Sequence, residues 1–225
     1  MPKHPVDEFW CINVDSKAWS QVLHLGMRRT YRKGDAIVDA GEHVTQLRYL
    51  QSGVVCMKRT AMDGNEKILM HVEANSLFCE VPFFLGDEMH SAFTCHQDAV
   101  VYCFPRDVVD AILERNPTIA KDIIHTLSVK VSVLSNQLAS LGLDTLEQRI
   151  AKFILLRYNA STLADDGMIS FGTLRLKDVA SILGVHRATL YRAFRAMERM
   201  QLIRLLNENR LQVLDVEALV SMADH

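Results

Sequence analysis

The sequence is short of most features that would set it apart from an ordinary folded chain. Its 225 residues include only 10 glycines and 5 prolines, which excludes a collagen-like or Gly/Pro-rich fibre. Cysteine is scarce and odd in number: five, at positions 11, 56, 79, 95 and 103, with no C-x-x-C pair. A disulfide framework is therefore not expected. No apolar run approaches the roughly 18 residues of a membrane-spanning helix. The opening MPKHPVDEFW carries Asp7 and Glu8 and no apolar core, so no signal peptide is expected and the sequence predicts a cytoplasmic protein without a membrane partner. An excess of charge is missing too. Twenty-five basic residues face 27 acidic ones for a net charge of −2, which excludes a uniformly basic nucleic-acid coat but leaves room for a local basic patch.

Signatures of catalysis are also absent. There is no P-loop, dinucleotide fingerprint, Ser-His-Asp order or H-x-x-x-H spacing. The sequence therefore predicts no enzyme, no catalytic residue and no metal ligand. What is present is a globular composition, 49% hydrophobic and 23% charged, at a length that suits two domains.

The first half reads as strands. Ala36–Val38, Leu47–Leu50, Val54–Met57, Ile68–Val72, Ser91–His96 and Val100–Phe104 are short apolar runs bounded by turn residues such as Ser52-Gly53 and Asp63-Gly64-Asn65. That spacing predicts a β-sandwich or roll. Asp107–Glu114 predicts a short helix ended by Asn116-Pro117. A long helix follows from Pro117, since proline is tolerated in a first turn. Within it Ala120, Ile124, Leu127, Val131, Leu134, Leu138 and Leu141 are spaced 4, 3, 4, 3, 4, 3. That is a heptad seam, and it predicts pairing with a second copy of the same helix. Gly142 is expected to stop the helix. Asp144-Thr145-Leu146-Glu147 has capping-box spacing for the next helix, which should reach about Tyr158. The expected organisation is a sensing domain over 1–116, a dimerisation helix over 117–142 and a DNA-reading domain over 143–225.

The most informative stretch is Leu174 to Leu205. Val179, Ala180 and Leu183 share one face of a first helix, with alanine where a second helix must cross closely. Gly184 sits at the turn, where a left-handed backbone costs glycine least. Val185, Leu190, Phe194 and Met197 should pack back. The second helix, about Arg187 to Met200, then exposes Arg187, Ala188, Tyr191, Arg192, Arg195 and Arg199. This is helix-turn-helix patterning, suited to the DNA major groove. Residues 174–210 hold eight basic groups and three acids, so this segment is +5 and the remainder −7. Seven of the eight are arginines, which make bidentate contacts to phosphate or guanine. Leu202–Leu206 and Arg210–Leu214 read as a two-stranded wing, with Arg210 near its tip, and Asp215–Ala223 as a closing helix.

This order of parts resembles the CRP/FNR superfamily of bacterial transcription regulators over about residues 20–215. The matching text is Lys33-Gly34, Gly41, Ser52-Gly53, Asp63-Gly64-x-Glu66-Lys67, the Glu80 region, Arg149 and Gly184-Val185-His186-Arg187-Ala188-Thr189-Leu190-Tyr191-Arg192. The resemblance implies an α+β chain: a cyclic-nucleotide-binding-like β-roll, a long dimerisation helix and a winged helix-turn-helix. It implies a homodimer that binds double-stranded DNA at a near-palindromic site, responds to a small-molecule effector and works with RNA polymerase. The DNA-binding residues it implies are Arg175, Arg187, Ala188, Thr189, Tyr191, Arg192, Arg195 and Arg210. The dimer residues are Ile124, Leu127, Val131, Leu134, Leu138 and Leu141. The effector residues are Phe78, Cys79, Glu80, Phe83, His90, Ser91, Leu127 and Val131.

Departures from the family pattern bear on the effector. In cyclic-nucleotide-binding members the cassette reads roughly Gly-Glu-x-x-Leu and then Arg-Ser or Arg-Thr-Ala. Here it reads Cys79-Glu80-Val81-Pro82-Phe83 and then His90-Ser91-Ala92. The ribose-binding Glu80 and Ser91 remain, but His90 replaces the phosphate arginine and Cys79 the glycine. A buried phosphate without a permanent cation is costly, so cyclic AMP or GMP is not expected. An iron–sulfur cluster is not expected either, because of the clustered N-terminal cysteines of the family's oxygen sensors only Cys11 has a counterpart. Haem, which some members use to detect carbon monoxide or nitric oxide, stays open as an alternative, with Cys79, His71, His90, His96 and His4 as axial ligands by residue type. The other candidate is a small apolar or aromatic molecule held near Met70, Leu77, Phe78, Phe83, Phe84 and Phe93. DGNEKILMHVEANSL and the Gly-Val-His turn are similar to the halogenated-aromatic-sensing branch. A redox role for Cys11 or Cys56 rests on residue type alone. Finally, Ala188 stands where members reading GTGA-type half-sites carry a cytosine-reading Glu. An altered half-site is therefore expected, A·T enrichment being one form it can take.

Overall fold

A computed structural model describes residues 11–12, 16–62, 64, 66–160, 168–170, 175–208 and 210–224. His4, Leu174 and the turn residues Asp63, Asn65 and Asn209 lie outside the described residues, as does the side chain of Cys11. The chain divides into two compact units, one ending at Ser135 and the other beginning at Asn136.

The first unit is a β-roll. Its strands are β1 (Cys11–Ile12), β2 (Met27–Tyr31), β3 (Ala36–Val38), β4 (Gln46–Ser52), β5 (Val54–Thr60), β6 (Glu66–Glu73), β7 (Ser76–Phe78), β8 (Ala92–Cys95) and β9 (Ala99–Pro105). They form a five-stranded sheet in the order β1-β6-β5-β8-β3 and a four-stranded sheet in the order β2-β9-β4-β7. Among the described residues β1 and β6 pair in parallel and the other pairings of the roll are antiparallel. Side chains of both sheets enter one core, which takes Leu47, Tyr49, Val55, Val72, Leu77, Phe78, Val101 and Phe104. Trp19, on a 3-10 helix over Lys17–Leu25, meets Phe104 edge-on at 5.2 Å. The β4–β5 turn depends on Gly53, at φ 93°, because a Cβ there would stand 2.3 Å from the Asp98 carbonyl oxygen.

Three helices belong wholly or partly to this unit: α1 (Glu80–Leu85), α2 (Arg106–Arg115) and α3 (Pro117–Leu143). The last passes through the boundary between units. It carries two stripes rather than one. Ile119, Ile123, Thr126, Lys130, Val133, Gln137 and Ser140 are buried. The heptad stripe read from the sequence lies about 100° around the helix from it. There Ile124, Val131, Leu134, Leu138 and Leu141 stay 40–74% exposed. Gly142 does not stop the helix, which continues to Leu143. Its one-residue position inside the last turn costs little.

The second unit contains α4 (Leu146–Ala160), β10 (Met168–Ser170), α5 (Leu176–Leu183), α6 (Arg187–Arg199), β11 (Ile203–Asn207), β12 (Arg210–Val213) and α7 (Val216–Asp224). The capping box of α4 is shifted by one residue from the Asp144–Glu147 expectation. The Gln148 backbone N–H donates to the Thr145 hydroxyl, and the Thr145 N–H donates to the Gln148 side chain. Asp144 is occupied elsewhere, accepting from Ser140 at 2.5 Å and Lys152 at 2.8 Å. Partial burial pushes its carboxyl pKa up, but these hydrogen bonds, with Arg149 nearby, hold it below the ordinary value. The wing has three strands, in the order β10-β12-β11. Among the described residues no helix is long and apolar enough to cross a membrane.

Candidate functional site

The helix-turn-helix is built as its residues dictate. On α5, Val179, Ala180, Ile182 and Leu183 are buried, and Ala180 leaves room for the crossing of α6. Gly184 takes φ 70°, ψ 36° and donates its N–H to the carbonyls of Ala180 and Ser181. The Val185 N–H also returns to the Ala180 carbonyl, at 3.0 Å. The chain thus closes the first helix with a left-handed residue and starts the second two residues later. His186 caps α6. Leu190, Phe194 and Met197 are fully buried along one side. Arg149 on α4 donates to the Leu183 carbonyl at 2.8 Å. A cation at the negative end of α5 is favourable, so this residue of the family pattern braces the motif.

The opposite side of α6 is the candidate DNA face. Arg187, Ala188, Tyr191, Arg192, Arg195 and Arg199 are exposed, and Thr189 is half-buried. Arg175 precedes α5, Arg210 opens β12, and both are exposed. All eight residues expected to bind DNA therefore lie in the second unit, five of them exposed along α6. The arginines differ in their company. The Arg195 guanidinium donates to the Tyr191 hydroxyl at 2.6 and 2.9 Å and to Glu198 at 2.7 Å, and stacks over the Tyr191 ring. The bonds to Tyr191 and Glu198 raise its pKa further. Glu198 also accepts the Leu205 N–H of β11 at 2.7 Å. Arg187 reaches Glu208 at the wing, at 2.9 Å. Arg192 lies 3.4 Å from the Thr189 hydroxyl.

The β-roll holds a separate feature, a cavity of about 240 Å³. Met57, Met70, Met89, Leu85, Phe93 and Leu134 supply its apolar walls. Cys79, Glu80, His90 and Ser91 line it as the sequence predicts. Phe78 and Phe83 do not line it; both are fully buried in the roll core. Leu127 and Val131 do not line it either. Leu127 packs on the core and Val131 is 66% exposed. From α3, Lys130 and Leu134 face the cavity instead, Lys130 one residue before Val131 and Leu134 about one turn beyond it.

Lys130 is the residue that sequence reading missed. Its ammonium group is buried, bonded to the Glu80 carboxylate and, at 2.9 Å, to the Leu77 carbonyl. A signal existed: it is the lone charge between Ile123 and Leu134, and it falls on the 4,3 repeat of the buried stripe. Cys79 caps the start of α1 at φ 67°, a left-handed backbone that glycine adopts without strain. Burial pushes its thiol up to about 12, with Glu80 adding to the rise and Arg48 and Lys130 opposing it. The thiol is therefore protonated at neutral pH. His90 is 72% exposed and 4.0 Å from Asp87.

The described residues suggested for haem do not converge. Cys79 and His90 line the cavity, whereas His71 and His96 face each other edge-on at 5.2 Å and do not line it. A roughly 150 Å³ cavity holds benzene, so 240 Å³ has room for one or two rings. With His71 and His96 outside the cavity, the described candidates do not form one axial set. Among the described residues no group of three or more metal-ligating side chains is present.

Fold and site together define a DNA-binding regulator with a small-molecule-sized cavity in its β-roll, and comparison with known proteins agrees. The cyclic nucleotide-binding domain family matches residues 28–116, and the Crp-like helix-turn-helix domain family matches residues 148–222. The chain is 24% identical over 194 residues to the CRP-like cAMP-activated global transcriptional regulator of Mycobacterium tuberculosis, covering 86% of each chain. Its fold matches a CooA variant from Carboxydothermus hydrogenoformans (18% identity, TM-score 0.78, 90% of each chain). It also matches CprK complexed with OCPA (20% identity, TM-score 0.78, 96% of this chain and 97% of that one). The chain belongs to the CRP/FNR family. Members of this family are transcription regulators, not enzymes.

Proposed function

We propose that the chain acts as a homodimer that binds a near-palindromic promoter site through α6 and responds to a small apolar effector held in the roll. The observation that carries this reading is the exposed row of Arg187, Ala188, Tyr191, Arg192 and Arg195 on α6. Two such helices, brought together by a dimer, read two half-sites one helical turn apart. The exposed stripe of α3 supports the dimer, because Ile124, Val131 and Leu138 would otherwise leave an unusual run of apolar surface in water.

The cavity supports an effector with little charge. Its cation, Lys130, is already neutralised by Glu80, so a cyclic phosphate would find no free positive partner there. His90, at the position of the phosphate arginine, is largely in solvent. Three methionines give walls that are polarisable and adaptable, which suits a small ring. Leu134 belongs both to the cavity and to the exposed stripe of α3, so an effector touching it would bear on the dimer surface.

Selection of DNA from a random-sequence library by the full-length protein tests the reading. The expected result is a palindromic consensus whose half-site departs from TGTGA, because Ala188 can meet a thymine methyl but cannot accept from a cytosine amino group. Recovery of plain TGTGA half-sites contradicts the role given to Ala188. Recovery of no consensus contradicts sequence-specific binding altogether.

A further inference from the structure

Two arginines of α6, Arg195 and Arg187, meet acids of different kinds. Arg195 meets Glu198, whose side chain is only 18% exposed and is tied at its other oxygen to the β11 backbone. Releasing Arg195 would leave that half-buried acid without its cation, so this contact belongs to the frame of the wing and helix. Arg187 meets Glu208 at 2.9 Å across two elements, and these side chains are 60% and 64% exposed. Both ends of that pair are in water, and both are free to exchange partners at little cost.

Resting on the reading that α6 faces DNA, we propose that Glu208 is a specificity-determining residue: its carboxylate occupies Arg187 in the place a DNA phosphate or guanine edge takes in the complex. Arg187 is the first residue of α6, and the N-terminal residues of a recognition helix are those that approach base edges. Glu208 lies in the turn between the wing strands. A DNA site must therefore displace Glu208 from Arg187 before that arginine contributes. A well-matched site repays the exchange with a bidentate contact. A random duplex offers only a diffuse phosphate field, and against that field the internal carboxylate competes effectively. The acid thus weakens non-specific binding more than specific binding.

The test is a double-mutant cycle with full-length protein and a random-sequence duplex, read by fluorescence anisotropy at low salt. Glu208→Gln keeps the size and exposure of the side chain and removes the charge. In the unaltered background it should tighten non-specific binding by roughly two- to five-fold, the range of an exposed ion pair. In an Arg187→Ala background the same change should have almost no effect. Equal tightening in both backgrounds would show a general repulsion between Glu208 and DNA, and would overturn the proposal. No tightening in either would overturn it too. Failure of the unaltered protein to bind any duplex would instead strike the DNA-docking reading itself.

Discussion

At the scale of single residues, the buried pair of Lys130 and Glu80 is the feature with most consequence. Each charge left water at a cost of several kcal/mol, and the other one, with the Leu77 carbonyl, offsets it. Removing one partner strands the other. Lys130→Met should therefore lower the stability of the β-roll by about 3–5 kcal/mol. Lys130→Met with Glu80→Met should recover much of that loss, since two apolar side chains leave no unpaired charge. Urea titrations of the three proteins, followed by a probe in the roll, would check this. A double variant as unstable as the single one would mean that the pair contributes packing rather than charge balance. Glu80 was legible as a cassette residue because its neighbours in sequence carried the family pattern. Lys130 was not, because its partner lies 50 positions away and a helix pattern does not say which stripe faces inward.

Among the elements, α3 shows how a pattern can be read correctly and still be half the account. The 4,3 repeat of Ile124, Val131, Leu134, Leu138 and Leu141 is plain in the sequence, and the structure leaves it exposed. A second 4,3 repeat, one residue earlier, is buried. It was hidden by its polar members Thr126, Lys130, Gln137 and Ser140. Leu138 is 74% exposed, so Leu138→Glu should leave the melting of each unit nearly unchanged in a monomer. Across a helix pair it would put two like charges into an apolar seam. Sedimentation should then show a monomer, against the dimer expected of the unaltered chain. An unshifted dimer would locate the interface elsewhere. Other elements vary in legibility for physical reasons. The strands β4, β5, β6 and β9 alternate buried and solvent-facing residues or carry apolar runs. Met27–Tyr31 was invisible because four of its five residues are exposed and two are arginine. Met168–Ser170 and Ser76–Phe78 are too short to carry a period.

Over the whole molecule, the near-zero net charge conceals a division of labour. The helix-turn-helix and wing are +5 within a chain of −2, and that division was readable because charge needs no knowledge of folding. The helix-turn-helix was equally readable, since its alanine, glycine and apolar positions are set by one local crossing. The cavity was only partly so: Cys79, Glu80, His90 and Ser91 come from one stretch, but Met57, Lys130 and Leu134 reach it from distant elements. The central claim is that the basic face of α6 recognises a specific palindrome. It is tested most directly by titrating the full-length protein against its selected palindrome and a scrambled duplex over a series of salt concentrations. One dimer should bind each palindrome, with a preference over the scrambled duplex of at least roughly a thousandfold. The affinity should also fall steeply and linearly in log–log form as salt rises. Equal affinity for the two duplexes, or an affinity indifferent to salt, would contradict that claim.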